Sequence, residues 1–213
     1  HDADLHTDRA YLFSKNLFPL AFVEITKHNG CLSYALKDDV TSTNYSVPQL
    51  RVMKLEVDIA KSGKIAQFKD PIEKIRLTQK ENQVTIDSKD EAETILKLVD
   101  VVDDLNPDFI MTYGGDSYLF PYLVERASQN RILNRLVLSR DPVAFRNKSA
   151  SGKTFFSYGR TFYKATAQRL YGRIHVDQSN TFVLSEADLD GLIEVARTCR
   201  VPLHTSARNS IGS

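Results

Sequence analysis

The sequence of 213 residues has only two cysteines, Cys31 and Cys199, which lie far apart and form no Cys-x-x-Cys pair. No disulfide framework is indicated, and a reduced protein of the cytoplasm is the simplest expectation. The chain also lacks any apolar run near the roughly 18 to 20 residues that a membrane-spanning helix needs. Residues 1–9 are polar and acidic, so we expect neither a signal peptide nor a membrane anchor.

An excess of charge of one sign is also lacking, since Lys and Arg number 28 and Asp and Glu number 27. The net charge therefore indicates no particular partner. Five histidines occur without the spacing of metal ligands, which argues against a zinc site. Ser149 to Thr154 ends like a phosphate-binding loop but lacks its first glycine and a preceding strand, so we attribute the match to chance.

One stretch of the chain, residues 140–173, is strongly basic, with eight Lys or Arg and a single acid, Asp141. Aromatic residues are interleaved with these charges, and the two together suit single-stranded DNA, since cations neutralise phosphates and rings stack on bases. A hairpin with its aromatics in the core would explain the same residues. The predicted DNA-binding residues are Arg140, Arg146, Lys148, Lys153, Phe156, Tyr158, Arg160, Lys164, Arg169 and Arg173.

Short strands with polar turns are predicted for the first part of the chain. Asn29-Gly30 lies between two apolar runs, residues 22–26 and 32–36, which is typical of a β-hairpin. The apolar pattern of residues 50–59 predicts a further strand. Other strands are predicted at residues 64–68, 72–78 and 83–86.

A helix is predicted after these strands. Ser88 and Glu91 have the spacing of a capping box, apolar residues from Ala92 to Val102 share one helical face, and Asn106-Pro107 ends the pattern. A buried strand at 109–111, helices at 119–129 and 186–197, and strands at 155–163 and 166–176 are predicted to follow. This order predicts an α/β fold with a mixed sheet.

Several segments resemble the exonuclease region of family-B DNA polymerases. Leu55 to Ala60 resembles the first exonuclease motif, and Asn106 to Leu123 resembles the second and most specific one. Tyr171 to Asp177 is similar to the strand that follows the second motif. The opening, residues 11–20, and the tail, residues 208–213, are similar to the amino-terminal domain and to the segment that leads toward the polymerase palm.

Tyr113 to Ser117 also resembles the polymerase signature Tyr-Gly-Asp-Thr-Asp-Ser. The preceding strand and the following Pro-Tyr-Leu helix favour the exonuclease context. The sequence stops at residue 213, before any polymerase motif, so it is expected to be a fragment without nucleotide transfer of its own.

The resemblance implies a two-metal nuclease site whose ligands are mostly missing. Such a site needs several carboxylates around two divalent ions. Asp58 matches the first aspartate, but Ala60 stands at the glutamate position and Leu119 at the aspartate of the second motif. The third motif has no match, although Phe182 to Glu186 has its spacing. No catalytic residue and no metal are therefore expected, and Mg²⁺ is implied only for an intact family member.

Four other residues near these motifs have alternative interpretations. Asp116 and Glu186 are candidate remnants of the lost ligand set, although Asp116 is better explained as the cap of the helix near residue 119. Asp177 is interpreted as a strand-end residue. His175 is interpreted as a surface residue or a hydrogen-bonded core residue.

The implied fold is a ribonuclease-H-like exonuclease domain with a mixed sheet, at residues 50–197, preceded by a small β-rich lobe at 1–49. Residues 198–213 are expected to return toward that lobe. The implied function is a non-catalytic DNA-binding or scaffold portion of a polymerase, resembling an inactivated archaeal branch. Its implied partners are DNA, bound weakly, and the remainder of the polymerase chain. An active exonuclease with unusual ligands and a protein–protein assembly module are the alternatives.

Overall fold

A computed structural model describes residues 7–145, 152–157, 160–181 and 183–207. The chain divides into two compact units, one formed by residues 1–49 with 181–213 and the other by residues 50–180. The helix predicted at 186–197 therefore lies in the first unit, although the sequence placed it with residues 50–197. The return to the first unit begins at residue 181 and not at 198.

Among the residues that the structure describes, the first unit contains a two-stranded hairpin and three α-helices. Strands β1 (Val23–His28) and β2 (Cys31–Leu36) pair as an antiparallel hairpin. Its turn is the predicted Asn29-Gly30, and both residues have positive φ, 48° and 81°, as a type I′ turn requires. The helices are α1 (Thr7–Ser14), α4 (Val183–Thr198, kinked at Ala187 and Asp188) and α5 (Leu203–Ser206).

Arg197 on α4 is the largest fully buried side chain of the first unit. Its guanidinium contacts both carboxylate oxygens of Asp38, at 3.0 and 3.1 Å, and donates to the carbonyl of Leu20 at 3.2 Å. It also lies over the rings of Phe18 and Tyr45, at 4.7 and 3.6 Å from their centroids. This one guanidinium therefore joins α4 to three segments of the first fifty residues, at positions 18–20, 38 and 45.

The second unit is built on a five-stranded mixed sheet with the strand order β5-β4-β3-β6-β9. β3, β4 and β5 are antiparallel neighbours, whereas β6 is parallel to β3 and β9 is parallel to β6. β3 is therefore central, as predicted for the strand that carries Asp58, and the predicted mixed α/β fold is confirmed. The strands are β3 (Val52–Ile59), β4 (Ile72–Gln79), β5 (Asn82–Ile86), β6 (Phe109–Thr112) and β9 (Ile174–Asp177).

Helix α2 (Glu91–Leu105) packs its apolar face into the core of the second unit. Ile95, Leu98 and Val102 are fully buried together with Met53 and Leu55 of β3. Of the predicted face, Ile95 and Val102 are fully buried, whereas the fully buried Leu98 was not part of that prediction. The predicted end at Asn106, which is left-handed with φ of 42°, agrees with the structure. Burying each such side chain contributes about 1.5 to 3 kcal/mol, so this face fixes α2 on the sheet.

The predicted capping box of α2 is wrong. Asp90 is the N-cap, and its carboxylate accepts the N–H of Ala92 at 2.9 Å. Glu91 is instead drawn into the fold, where it accepts the N–H of Ile72 at 2.8 Å and the Nε–H of Arg126 at 2.8 Å. A buried cation elsewhere in the fold therefore outweighs the local capping preference of the glutamate.

One predicted strand is a loop in the structure, and another is mostly a loop. Residues 64–68 form bends and turns, in which Gln67 donates its N–H to Asp70 at 2.9 Å. Of residues 166–176, only 174–176 are extended as part of β9. The described residues also form the antiparallel strands β7 (Lys153–Ser157) and β8 (Arg160–Lys164) and helix α3 (Phe120–Gln129). None of the described helices is both long and apolar enough to span a bilayer.

Candidate functional site

Asp58, the residue that matches the first metal ligand, lies near the end of the central strand β3. Lys74 lies opposite it on β4, and Arg76 is two residues further along the same face. The guanidinium of Arg76 donates to both carboxylate oxygens, to Oδ1 at 2.9 Å, and Lys74 Nζ lies 3.5 Å from Oδ2. The hydrogen bond from Arg76 lowers the pKa of Asp58 below its ordinary value. The carboxylate is therefore ionised, and two cations of the chain already contact it.

The other two family ligand positions carry no oxygen on their side chains. Ala60 is exposed just past β3, where its N–H donates to the carbonyl of Pro71 at 3.0 Å. Leu119 is buried and belongs to the hydrophobic core. It ends a single π-helical turn, Gly115–Leu119, that leads directly into α3. Neither position can supply the negative charge that two divalent ions require.

Asp177, at the end of β9, binds the start of this π-helical turn. It is buried, and its oxygens accept the N–H of Gly114 at 2.9 Å and the N–H of Asp116 at 2.8 Å. The prediction that Asp116 caps the helix near residue 119 is wrong, because α3 has no side-chain cap, and Asp177 binds the free N–H groups at the start of the preceding turn. Sequence reasoning missed this role because the two segments lie about sixty residues apart.

Asp116 itself faces the interior of the second unit. It is 3% exposed and accepts hydrogen bonds from the N–H of Gln168 at 2.7 Å and from Asn180 Nδ2 at 2.8 Å. Its carboxylate ties two distant segments to the turn. The oxygens of this candidate remnant of the ligand set are therefore hydrogen-bonded within the fold.

His175 is a hydrogen-bonded core residue, which was one of its two predicted interpretations. Its Nε2 lies 2.8 Å from Thr112 Oγ1, and its Nδ1 lies 2.9 Å from the carbonyl of Gln168. The ring also meets Phe120 edge-on, with 4.5 Å between centroids. Both ring nitrogens are occupied, so His175 has a structural role.

Gly115 fits between Thr112 and His175 only because it has no side chain. A Cβ at this position would lie 1.9 Å from Thr112 Oγ1 and 2.6 Å from His175 Nε2. The close approach of the turn to the end of β6 therefore depends on glycine.

No group of three or more His, Cys, Asp or Glu residues that could hold a metal ion occurs among the described residues. Glu56, which shares the face of Asp58, pairs instead with Lys54 at 2.9 Å. The side chain of Glu186 lies outside the described residues. The side chains present around Asp58 do not fit a two-metal centre, because two ligand positions are uncharged and the remaining carboxylate is paired with cations of the chain.

Two of the predicted DNA-binding arginines hold the fold together. Arg173 is 5% exposed and donates to the carbonyls of Leu138 at 2.8 Å and Val102 at 3.3 Å. Its guanidinium is buried, so the prediction that it contacts DNA is wrong. Arg140 pairs with Asp108 at 2.6 Å and donates to the carbonyl of Gly172 at 2.7 Å.

The low pKa of Asp108 reflects its hydrogen bond with Arg140. Burial acts to raise the pKa of Asp108, but hydrogen bonds from the backbone N–H of Arg51 and from the side chain of Arg140 outweigh it and bring the pKa to about 2. Arg140 is therefore neutralised by a partner within the chain. Arg169 is exposed, whereas Arg146, Lys148 and Tyr158, and the side chains of Lys153, Phe156, Arg160 and Lys164, lie outside the described residues.

The contacts of Asp58 were the second feature that sequence reasoning missed. Lys74 and Arg76 alternate along β4, and this spacing of two places both side chains on one face of a strand. That signal was visible in the sequence. It could not identify Asp58 as the partner, because strand register is not visible there.

Proteins of known sequence also resemble this chain in its exonuclease-like region. The sequence model of the exonuclease domain of DNA polymerase family B matches residues 31–185. A DNA polymerase of Thermococcus litoralis is 38% identical over 87 residues, which are 41% of this chain and 4% of that protein. DNA polymerase 3 of Saccharolobus solfataricus is 29% identical over 138 residues, which are 60% of this chain and 18% of that protein.

A solved polymerase structure contains the same fold as this chain. The family B DNA polymerase of Pyrobaculum calidifontis superimposes with a TM-score of 0.68 at 18% sequence identity, covering 100% of this chain and 35% of that one. The chain thus spans less than a fifth of the length of each of these two curated relatives and about a third of this solved polymerase chain.

Proposed function

Since this chain belongs to DNA polymerase family B, as a region of its exonuclease domain, we propose that it is the non-catalytic DNA-binding and scaffold portion of a DNA-directed DNA polymerase. Its mixed sheet is consistent with the ribonuclease-H-like fold of that domain. DNA and the remainder of the polymerase chain are the proposed partners, and the cytoplasm is the proposed location. The observation that carries the proposal is the pairing of Asp58 with Arg76 and Lys74.

The argument against nuclease activity rests on charge. Two divalent ions a few ångströms apart repel each other and are held only by several carboxylates. Here Asp58 faces two cations of the chain, and positions 60 and 119 carry Ala and Leu. An approaching metal ion would have to displace a bidentate guanidinium, which is a charge-assisted and geometrically matched partner. The geometry supports a domain that keeps the exonuclease fold and has lost the ability to hydrolyse DNA.

We expect Mg²⁺ or Mn²⁺ to leave the melting temperature of the chain nearly unchanged, and we expect no degradation of single-stranded DNA. A ligand present at about 100 times its Kd would stabilise the native state by about 2.7 kcal/mol, which a thermal melt resolves easily. Asp58→Asn serves as the matched control and should respond to metal as the unmodified chain does. Mn²⁺-dependent degradation of an oligonucleotide that disappears in Asp58→Asn would establish the active-exonuclease alternative instead.

The scaffold role is supported by the β1–β2 hairpin of the first unit. Ile25 pairs with Tyr34, and Lys27 pairs with Leu32, so these side chains share one face. Ile25, Leu32 and Tyr34 are 66%, 72% and 43% exposed. A two-stranded hairpin is only marginally stable alone, and an exposed apolar face of this kind is typical of a contact surface. The remainder of the polymerase chain is the proposed occupant.

Weak, salt-dependent DNA binding is expected from the basic stretch at residues 140–173. If about four cations reach phosphates, the log–log slope of affinity against salt on single strands is near −3, at roughly −0.7 per phosphate. Arg160→Gln with Lys164→Gln, both on β8, should flatten this slope. Fluorescence anisotropy with a labelled oligonucleotide at several salt concentrations measures it. Absence of binding at low salt would leave the assembly module as the better account.

A further inference from the structure

Two neighbouring recesses on the second unit share Ala144 and Phe145 in their linings, and together they are termed the groove. The smaller recess has a volume of about 240 Å³ and is also lined by Val143, Arg169 and Tyr171. The larger one has a volume of about 500 Å³ and continues toward Arg131. Recesses of this size accept small organic groups of the dimensions of a nucleotide rather than a helix or a strand.

The groove carries a cation in each recess, and neither cation is neutralised within the described part of the chain. Arg131 and Arg169 are both exposed, and their guanidinium groups have no ion pair or hydrogen bond among the described residues. Arg126, Arg140 and Arg173, in the same region, are all paired with acids. Between residues 131 and 173 the sequence contains a single acid, Asp141. The two free arginines therefore favour an anionic ligand with more than one charge.

Tyr171 supplies an aromatic surface beside Arg169, and its backbone is fixed on both sides. The side chain is 52% exposed. Its N–H donates to Ser139 Oγ at 3.0 Å, and its carbonyl accepts the N–H of Arg140 at 2.8 Å. Phe145 is 5% exposed in the wall that the two recesses share and packs on Phe120, with 4.8 Å between ring centroids. An exposed ring on an anchored backbone, next to a free guanidinium, is a combination that binds nucleotides through stacking and phosphate contact.

We propose that this groove binds a short segment of single-stranded DNA, with one base stacked on Tyr171 and neighbouring phosphates on Arg169 and Arg131. The proposal rests on the DNA-binding role given above and extends it to a defined site. Arg131 lies outside the stretch at residues 140–173, and the paired Arg140 and buried Arg173 within that stretch play no part. The groove has no side chain in common with the surroundings of Asp58.

The test uses the full chain, a fluorescent oligo-dT and a range of salt concentrations. Arg131→Gln with Arg169→Gln should lower the magnitude of the log–log salt slope by about 1.4, at roughly 0.7 per phosphate contact. Tyr171→Ala should weaken binding about tenfold without changing the slope, and Tyr171→Phe should keep the affinity, because stacking needs the ring and not the hydroxyl. Lys80→Gln is the control, since it removes one exposed charge in the turn before β5, at the opposite edge of the sheet from β9.

Each outcome decides between the proposals. If the groove variants bind like Lys80→Gln while the β8 variants are weakened, the groove proposal fails and the DNA-binding role stands. If the unmodified chain does not bind at low salt, both fail together. Displacement of the oligonucleotide by poly-glutamate at equal charge, with no effect of Tyr171→Ala, would assign the groove to an acidic peptide. Far-UV circular dichroism melts of every variant establish that the differences arise in the folded protein.

Discussion

Gly115→Ala is expected to lower the free energy of unfolding of the second unit by about 3 to 5 kcal/mol. The added Cβ would lie 1.9 Å from Thr112 Oγ1 and 2.6 Å from His175 Nε2. Neither neighbour can rotate away cheaply, since Thr112 and His175 are buried and hydrogen-bonded to each other at 2.8 Å. The methyl group must therefore either displace the turn at residues 115–119 or break a buried hydrogen bond.

The measurement is urea denaturation followed by circular dichroism, with amide hydrogen exchange to locate the loss in residues 50–180. Gly63→Ala is the matched control, because a Cβ there meets nothing within 4 Å. Its expected change is within about 0.5 kcal/mol. A Gly115→Ala protein as stable as Gly63→Ala would show that the turn and the end of β6 are not packed as described.

Arg197→Ala is expected to cost the first unit about 3 to 5 kcal/mol, the usual result of removing one partner of a buried ion pair. Asp38, whose side chain is 10% exposed, would keep its charge without its counter-ion, and the space between Phe18 and Tyr45 would empty. Arg197→Lys should lose less, because it keeps the charge but cannot contact both carboxylate oxygens. Thr198→Ala, at the exposed neighbour, is the control.

The loss from Arg197→Ala should depend on pH in a defined direction. Burial acts to raise the pKa of Asp38, but the N–H of Phe22 and the guanidinium of Arg197 outweigh it, so the pKa lies below its ordinary value. A carboxyl group of this kind contributes stability above its ordinary pKa of about 4 and loses it as the pH falls. The difference between the two proteins should therefore be full at pH 7 and shrink under acid. A difference that grows on acidification would contradict this account.

The local elements of the fold could be predicted because their signals lie within a few residues. Asn29-Gly30 gave the hairpin turn, and Asn106-Pro107 gave the end of α2. The apolar pattern of residues 50–59 gave the central strand. The loop at residues 64–68 was mistaken for a strand, since its conformation is held by Asp70 and not by its own side chains.

Of the candidate site, only the missing metal ligands could be predicted from the sequence. Ala60 and Leu119 stand at the ligand positions that the resemblance assigns, and the sequence alone shows that they carry no charge. What surrounds the remaining residues depends on contacts between distant segments. The binding of the 114–116 turn by Asp177 and the burial of Arg173 both join segments that lie about sixty or more residues apart. No local pattern reports such contacts.

The pairing of Asp58 with Arg76 gives this end of β3 a counter-ion that is covalently part of the chain. A coordinated divalent ion leaves when a chelator such as EDTA removes it, and the carboxylates around it then repel one another. The side chain of Arg76 is 30% exposed and can rotate, but the pairing of β4 with β3 keeps it within reach of Asp58. The positive charge beside Asp58 is therefore built into the covalent chain, and a chelator does not remove it.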